Sequence, residues 1–379
     1  MHIAWLGKKT PVCGNVIYGR EITNALRDRG YDVSFLHFGD ELDSHNEEMR
    51  EVQLPFLYKS TIYTLPSPKT TKVLIDSLRE LKPDCVHASL ALSPIDFRLP
   101  QICAELNLPL VATFHSPFDA KRRNLTSSTQ QLTYQIYAPS LADYDQVIVF
   151  SETQRDFLHR LGVPNSRLAV IPNGVDTRKF SPGASGIKVE LQAEILFVYQ
   201  GRIAPEKNVE ALLRAWRRAK LPPSCKLVIV GDGPLAPGLR AFYGNDPNII
   251  WMGFIGSEAR RIEILRGADG FILPSLVEGL SLSLLEAMGC GVACLATEVG
   301  ADGEVLSGGA GIVLDPRRLI SQLTTLLPIL VEQPEWLQIL KQKARQRVLE
   351  RYTLERNVSQ LENLYHQVLQ NHRSKLVVF

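Results

Sequence analysis

No uninterrupted apolar run approaches about 18 residues, so the sequence offers no helix able to span a bilayer. Cysteine is sparse. Six are scattered at Cys13, Cys85, Cys103, Cys225, Cys290 and Cys294 with no CxxC pair. That spacing excludes a zinc or disulfide framework and points to reduced core thiols in a cytosolic protein. Charge of one sign is also lacking. Lys and Arg total 42 against 40 Asp and Glu, for a net charge of +2. This balance argues against nucleic acid as a partner and against wholesale attraction to a membrane. The GxGxxG phosphate fingerprint is missing, so nicotinamide dinucleotide binding has little support. No Asp cluster suited to a metal is apparent. The start, Met1-His2-Ile3-Ala4-Trp5-Leu6-Gly7-Lys8-Lys9, has neither a basic leader nor a long apolar core. It reads as a first strand, not a signal peptide.

What is present is an ordinary globular composition, 45% hydrophobic and 22% charged, in a chain long enough for two domains. Short apolar runs alternate with helical spacing. His2–Leu6 predicts a strand, Asn15–Arg29 a helix stopped by Gly30, and Tyr31–Phe38 the next strand. This βαβ start predicts a parallel sheet. Further strands are expected at Cys85–Ala88, Leu110–Phe114 and Gln146–Phe150, with helices at Leu99–Leu106 and Glu152–Leu161. Asp40–Gln53 reads as a polar surface loop and Leu54–Lys72 as irregular surface. Pro139 predicts the end or a kink of the helix that reaches it. Turn chemistry in Ile171-Pro172-Asn173-Gly174-Val175-Asp176, then Ser181-Pro182-Gly183, marks a linker. A second alternating run begins at Ile195–Gln200. Its strands fall at Lys226–Val230, Ile249–Met252, Gly270–Leu273 and Ala293–Ala296. Helices fit Val209–Ala219, Glu258–Arg266, Leu284–Met288, Glu335–Tyr352 and Leu354–Val368. The expected fold class is α/β: two Rossmann-like doubly wound domains facing a cleft. The expected boundaries are 1–173, 174–354 and a terminal helix over 355–379. Ligands in such sheets sit at the carboxyl ends of strands, and facing sheets place them between domains.

The segment from Pro274 to Gly289 carries most of the chemical information. Glu278 and Glu286 lie eight positions apart, with Gly279-Leu280-Ser281-Leu282 leading into a short apolar helix. A helix N-terminus aims amides at a phosphate, and a carboxylate on either side can grip hydroxyls. Phosphate plus hydroxyls describes a nucleotide sugar. A second reading stands beside it: Ser283-Leu284-Leu285-Glu286 fits a capping box, with Glu286 closing on Ser283. Arg202 and Lys207 flank a turn between a strand and a helix, where both can converge on one anion. Two solvated cations are the alternative. His115 ends a buried strand, fit for a sugar hydroxyl, a proton relay or a structural hydrogen bond. Gly14 and Asn15 occupy the first strand–helix turn, where glycine allows close approach. Lys121-Arg122-Arg123 near Phe118 form the sharpest basic cluster. Lys59, Lys69 and Lys72 lie among Phe56, Tyr58 and Tyr63. Basic–aromatic surface of this kind can rest on an anionic bilayer or simply be solvated.

Taken together, the Glu278–Glu286 segment, the Gly201-Arg202…Lys207 turn, the Ile171–Asp176 linker and the Gly231-Asp232-Gly233-Pro234 turn resemble the family 4 retaining glycosyltransferases of the GT-B fold. The resemblance implies that Arg202 and Lys207 hold the donor diphosphate, Glu286 the ribose and Glu278 the sugar hydroxyls. Amides across Gly279, Leu280, Ser281 and Leu282 meet the phosphate, and Gly14 and Asn15 approach from the other domain. His115 contacts the transferred sugar, and Phe254, within Met252–Ile255, flanks the base. It also implies no metal and no cofactor, the UDP-sugar being a substrate. No protein nucleophile is required. Cys13-Gly14-Asn15 departs from the Gly-Gly pair of many members. Leu54–Ser60, His87–Leu90 and Phe114–Arg123 look like the cyanobacterial-type digalactosyldiacylglycerol synthases within that family. The implied partners are UDP-galactose, a galactolipid acceptor and a membrane surface, with Phe118, Lys121, Arg122 and Arg123 at the acceptor side. The implied location is peripheral, on the cytoplasmic face of a thylakoid or plasma membrane. A glucosyl- or mannosyltransferase, or a non-catalytic nucleotide-sugar-binding protein, are the alternatives.

Overall fold

The structure, a computed structural model, describes residues 1–10, 13–39, 49–60, 63–90, 92–117 and 125–377. Phe118, Lys121, Arg122 and Arg123 lie outside them. The chain forms two compact units. One comprises Met1–Ser116, Thr129–Pro172 and Glu355–Phe379, the other Pro117–Ser128 and Asn173–Leu354.

Unit one is built on β1 (His2–Lys8), β2 (Asp32–Phe38), β3 (Arg50–Gln53), the short β4 (Phe56–Lys59) and β5 (Thr64–Pro66), then β6 (Cys85–Ser89), β7 (Leu110–Thr113), β8 (Gln146–Val149) and β9 (Leu168–Val170). Seven of these make one parallel sheet in the order β3-β2-β1-β6-β7-β8-β9. Its central strands are buried on both faces, which is why they read as unbroken apolar runs and not as alternation. The order reverses between β1 and β6. That switch point is where an open α/β sheet receives ligands, just beyond the strand ends. The terminal helix Leu354–Val377 belongs to this unit. Arg29 anchors it through Ser359, Glu362 and the carbonyl of Glu355, and His87 bonds its Tyr365.

Unit two carries β10 (Ile195–Gln200), β11 (Cys225–Val230), β12 (Ile249–Gly253), β13 (Gly270–Leu273), β14 (Ala293–Thr297) and β15 (Ile312–Leu314). They pair in parallel as β12-β11-β10-β13-β14-β15, with the reversal between β10 and β13.

Three expectations need correction. The polar stretch Asp40–Gln53 ends in β3. As an edge strand with one neighbour, β3 buries little and so carries no apolar signature. Leu54–Lys72 is not irregular: β4 and β5 pair as an antiparallel hairpin, and the helix Thr70–Leu81 starts inside the segment. Of the two outcomes expected at Pro139, the end does not occur there, since the helix runs Leu125–Leu141. Pro139 lies in the last turn, where the bond from the Ala142 amide to Ala138 resumes the ladder, and the buried Tyr134 and Tyr137 pack the helix inward.

Candidate functional site

In unit two, the loops beyond β10 and β13 are laced together at the switch point. The Leu276 amide donates to Glu206 O at 2.8 Å, and Asn208 Nδ2 to Pro274 O at 3.3 Å. This lacing brings Lys207 Nζ to 2.6 Å from Glu278 Oε1, which also accepts from Ser275 Oγ at 2.7 Å. Glu278 is 8% exposed. A carboxylate so shielded needs such partners. Arg202 pairs with Glu206 one helical turn on, and its carbonyl accepts from Tyr199 OH at 2.7 Å. Gly231, at φ +133°, lets the turn after β11 press on the β10 turn: a Cβ there would lie 1.9 Å from Gly201 O.

The Glu278 loop rests on a third segment. Gly300, at φ +56°, passes beneath it, where a Cβ would meet Glu278 O at 2.3 Å. The Ala301 amide donates to Gly279 O and the Ser281 amide to Asp302 Oδ1 at 3.0 Å. Asp302 is fully buried, and its Oδ2 has no partner among the described residues. Burial, then the nearby Glu278 charge, push its carboxyl well above the ordinary range. The helix Leu282–Gly289 is capped by Ser281, whose Oγ accepts from the Leu284 amide. The Ser283–Glu286 capping box therefore does not form. Glu286 stands fifth in the helix, and its Oε2 accepts from Gln200 Nε2 at 2.8 Å. The amides of Leu282 and Ser283, in the open first turn, find no acceptor among the described residues.

In unit one, β1, β6 and β7 bring Lys8, Ser89 and His115 to the same end of the sheet as the start of the helix Gly14–Asp28. Ser89 Oγ lies 2.6 Å from Asn15 Oδ1 and 2.9 Å from His115 Nε2. Asn15 Nδ2 donates to Leu90 O. The Asn15 side chain is thus engaged within its own unit. Burial pushes the His115 ring down to about 3, and the Lys8 charge adds to this. It is neutral at physiological pH, which removes the imidazolium from any proton relay. Lys8 is 3% exposed and donates to Ser60 O at 3.3 Å. Burial holds its ammonium below the ordinary range.

Comparison with known proteins bears on both units. The family described as Glycosyltransferase Family 4 matches residues 14–179, and Glycosyl transferases group 1 matches residues 194–328. The chain belongs to the family 4 glycosyltransferases. It is 26% identical over 361 residues to the Escherichia coli UDP-Gal:alpha-D-GlcNAc-diphosphoundecaprenol alpha-1,3-galactosyltransferase, covering 90% of each chain. It is 23% identical to the sulfoquinovosyl transferase of Arabidopsis thaliana, over 78% of this chain and 58% of that one. HepE of Anabaena, solved in complex with UDP, superimposes with a TM-score of 0.79 at 16% identity, over 97% of this chain and 100% of that chain. Two Rossmann-like units with parallel sheets are the GT-B architecture.

Within this glycosyltransferase, the structure gathers Lys207, Glu278, Gly279, Leu280, Ser281 and Leu282 at one switch point, with Arg202 and Glu286 on the elements beside it. It gathers Gly14, Asn15 and His115 at the other. Phe254 follows β12 as a largely exposed ring. Among the described residues, no three His, Cys, Asp or Glu side chains gather to hold a metal, and no helix is long and apolar enough to cross a membrane. Ser89, Gln200, Ser275 and Asp302 escaped the sequence reading. Three of them share a signal: a polar residue closing or following an otherwise apolar strand.

Proposed function

We propose that the chain transfers galactose from UDP-galactose to monogalactosyldiacylglycerol, forming an α-1,6 linkage with retention at the anomeric carbon. The carrying observation is the unit-two switch point: two cations, an open helix N-terminus and two anchored carboxylates meet there. A diphosphate needs the cations and amides, and a ribose and hexose need the carboxylates as hydroxyl acceptors. In this reading Arg202 and Lys207 hold the diphosphate, Glu286 the ribose and Glu278 the hydroxyls beside the reacting carbon. The bond from the anomeric carbon to the β-phosphate oxygen breaks through an oxocarbenium-like state. The acceptor oxygen bonds on the same face, and its proton passes to the departing phosphate. No metal and no protein nucleophile is assigned a part.

The lipid half rests on unit one. The β4–β5 hairpin exposes Leu57, Tyr58, Tyr63 and Leu65, with Lys59 beside Phe56. Apolar and aromatic side chains with a cation on one exposed hairpin suit the interface of an anionic bilayer. The relation to a sulfoquinovosyl transferase and to a UDP-galactose-dependent enzyme agrees with this. The protein would then work as a peripheral enzyme on the cytoplasmic face of its membrane.

The test is purified full-length protein with UDP-galactose and monogalactosyldiacylglycerol in mixed micelles, the product linkage read by mass spectrometry and NMR. UDP-glucose and GDP-mannose run in parallel. A digalactolipid from UDP-galactose alone is expected. Transfer from another donor, or no lipid product in any detergent, overturns the assignment.

A further inference from the structure

We propose that Ser89 is a positioning residue that locks His115 in the Nε2–H tautomer, so that Nδ1 offers a lone pair to a substrate hydroxyl. The inference follows from donor and acceptor counting. Asn15 Nδ2 faces the carbonyl of Leu90, which only accepts, at 3.2 Å. The amide orientation is therefore set, and Oδ1 is the atom 2.6 Å from Ser89 Oγ. Ser89 must spend its single hydroxyl hydrogen on Asn15. Only lone pairs remain on Ser89 Oγ for His115 Nε2 at 2.9 Å, so Nε2 carries a hydrogen. The ring is neutral, half-buried and held by Tyr18 and Phe150 at centroid distances of 4.9 and 5.3 Å. A neutral ring protonated on Nε2 is an acceptor at Nδ1, and Nδ1 has no partner among the described residues.

The consequence is a chemical filter. A hydroxyl donates to Nδ1, whereas an ionised phosphate oxygen has no hydrogen to give. The ring thus reads a sugar hydroxyl and not the diphosphate. This deepens the transfer reading and rests on it for the identity of the ligand, though the tautomer itself does not.

The experiment is a long-range 1H–15N histidine spectrum of the full chain, with the His115 signals assigned from His115→Gln. The Nε2–H pattern is expected in the wild type. Ser89→Ala should lose that preference, and kcat/KM for the sugar donor should fall about tenfold, the loss of one hydrogen bond. The inhibition constant of UDP should not move. Asn15→Asp, which still accepts from Ser89, should keep the Nε2–H pattern. An Nδ1–H ring in the wild type overturns the proposal without recourse to any variant. So does a Ser89→Ala protein with unchanged tautomer and kinetics, or one whose UDP inhibition weakens in step with turnover. An Nε2–H ring lost in Ser89→Ala, in a protein that transfers no sugar, upholds the lock and overturns the transferase assignment instead.

Discussion

Glu278→Gln should tighten the binding of UDP while weakening the use of UDP-sugar. Lys207 Nζ lies 2.6 Å from Glu278 Oε1, with side chains 21% and 10% exposed. Exposed ion pairs contribute about 1 kcal/mol or less. Breaking a fully buried pair costs about 3–5 kcal/mol. This pair lies between those limits, so about 1–2 kcal/mol is lost when a diphosphate draws Lys207 away. Glutamine removes that cost and also removes a negative charge near the incoming phosphates. UDP affinity should rise about 5- to 30-fold, which is the same energy written as a ratio. Ser275 Oγ can still donate to the glutamine carbonyl, so the loop keeps its anchor. With the complete donor the result reverses, because the carboxylate that accepts sugar hydroxyls is gone, and kcat/KM should drop. Titration calorimetry with UDP and initial rates with UDP-galactose read the two effects separately. A Glu278→Gln protein that binds UDP no better than wild type would refute the idea that this pair must open for the diphosphate.

Arg202→Ala and Lys207→Ala should each raise donor KM and lower kcat; normal turnover in both would remove the phosphate clamp from unit two. His87 is fully buried, and burial pushes it down to about 3, against about 6.5 when unfolded. Its folded-state pKa is depressed, so stability is complete above about pH 6.5 and declines as pH falls towards 3. By pH 5 the loss is about 2 kcal/mol. His87→Gln should flatten that decline in urea midpoints compared at pH 7 and pH 5, and an unchanged pH slope would contradict the burial argument. Leu57→Ser combined with Tyr58→Ser should lower partitioning onto anionic vesicles at least about tenfold, measured by co-sedimentation. Equal sedimentation would take the hairpin out of membrane contact.

The parallel strands were legible because both of their faces are buried. Ile195–Gln200 and Cys225–Val230 read as near-continuous apolar runs, and their ends located the switch-point loops. β3 and the β4–β5 hairpin were not, since an edge strand and two strands of four and three residues lack an inward face to mark. The helix start shows a finer limit. Ser281-Leu282-Ser283-Leu284-Leu285-Glu286 offers two serines, and spacing to Glu286 favours Ser283. Ser281 prevails because Asp302 holds its amide from 21 positions away. Contacts that orient the candidate site residues span longer gaps still. Gln200 reaches Glu286 across 86 positions and Ser89 reaches Asn15 across 74. Periodicity carries no information about such pairs; only the order of strands brings them together.

The two switch points share a topology and differ in charge, and under the proposed function the difference would sort their ligands. Unit two sets Lys207 at the switch point and Arg202 on the same turn, and the Leu282 and Ser283 amides find no acceptor among the described residues, the chemistry that a doubly ionised diphosphate requires. Unit one offers a neutral ring, a serine, an amide and one ammonium. That ammonium is already committed: Lys8, closing β1, donates to Ser60 O at the turn after β4, while Lys59 of the same hairpin bonds Thr10. Neutral donors and acceptors suit sugar hydroxyls and hold an ionised phosphate poorly. The hairpin proposed to meet lipid is therefore tied at Lys59 and Ser60 to Lys8 and Thr10 at the end of β1, the strand beside the ring proposed to read the sugar.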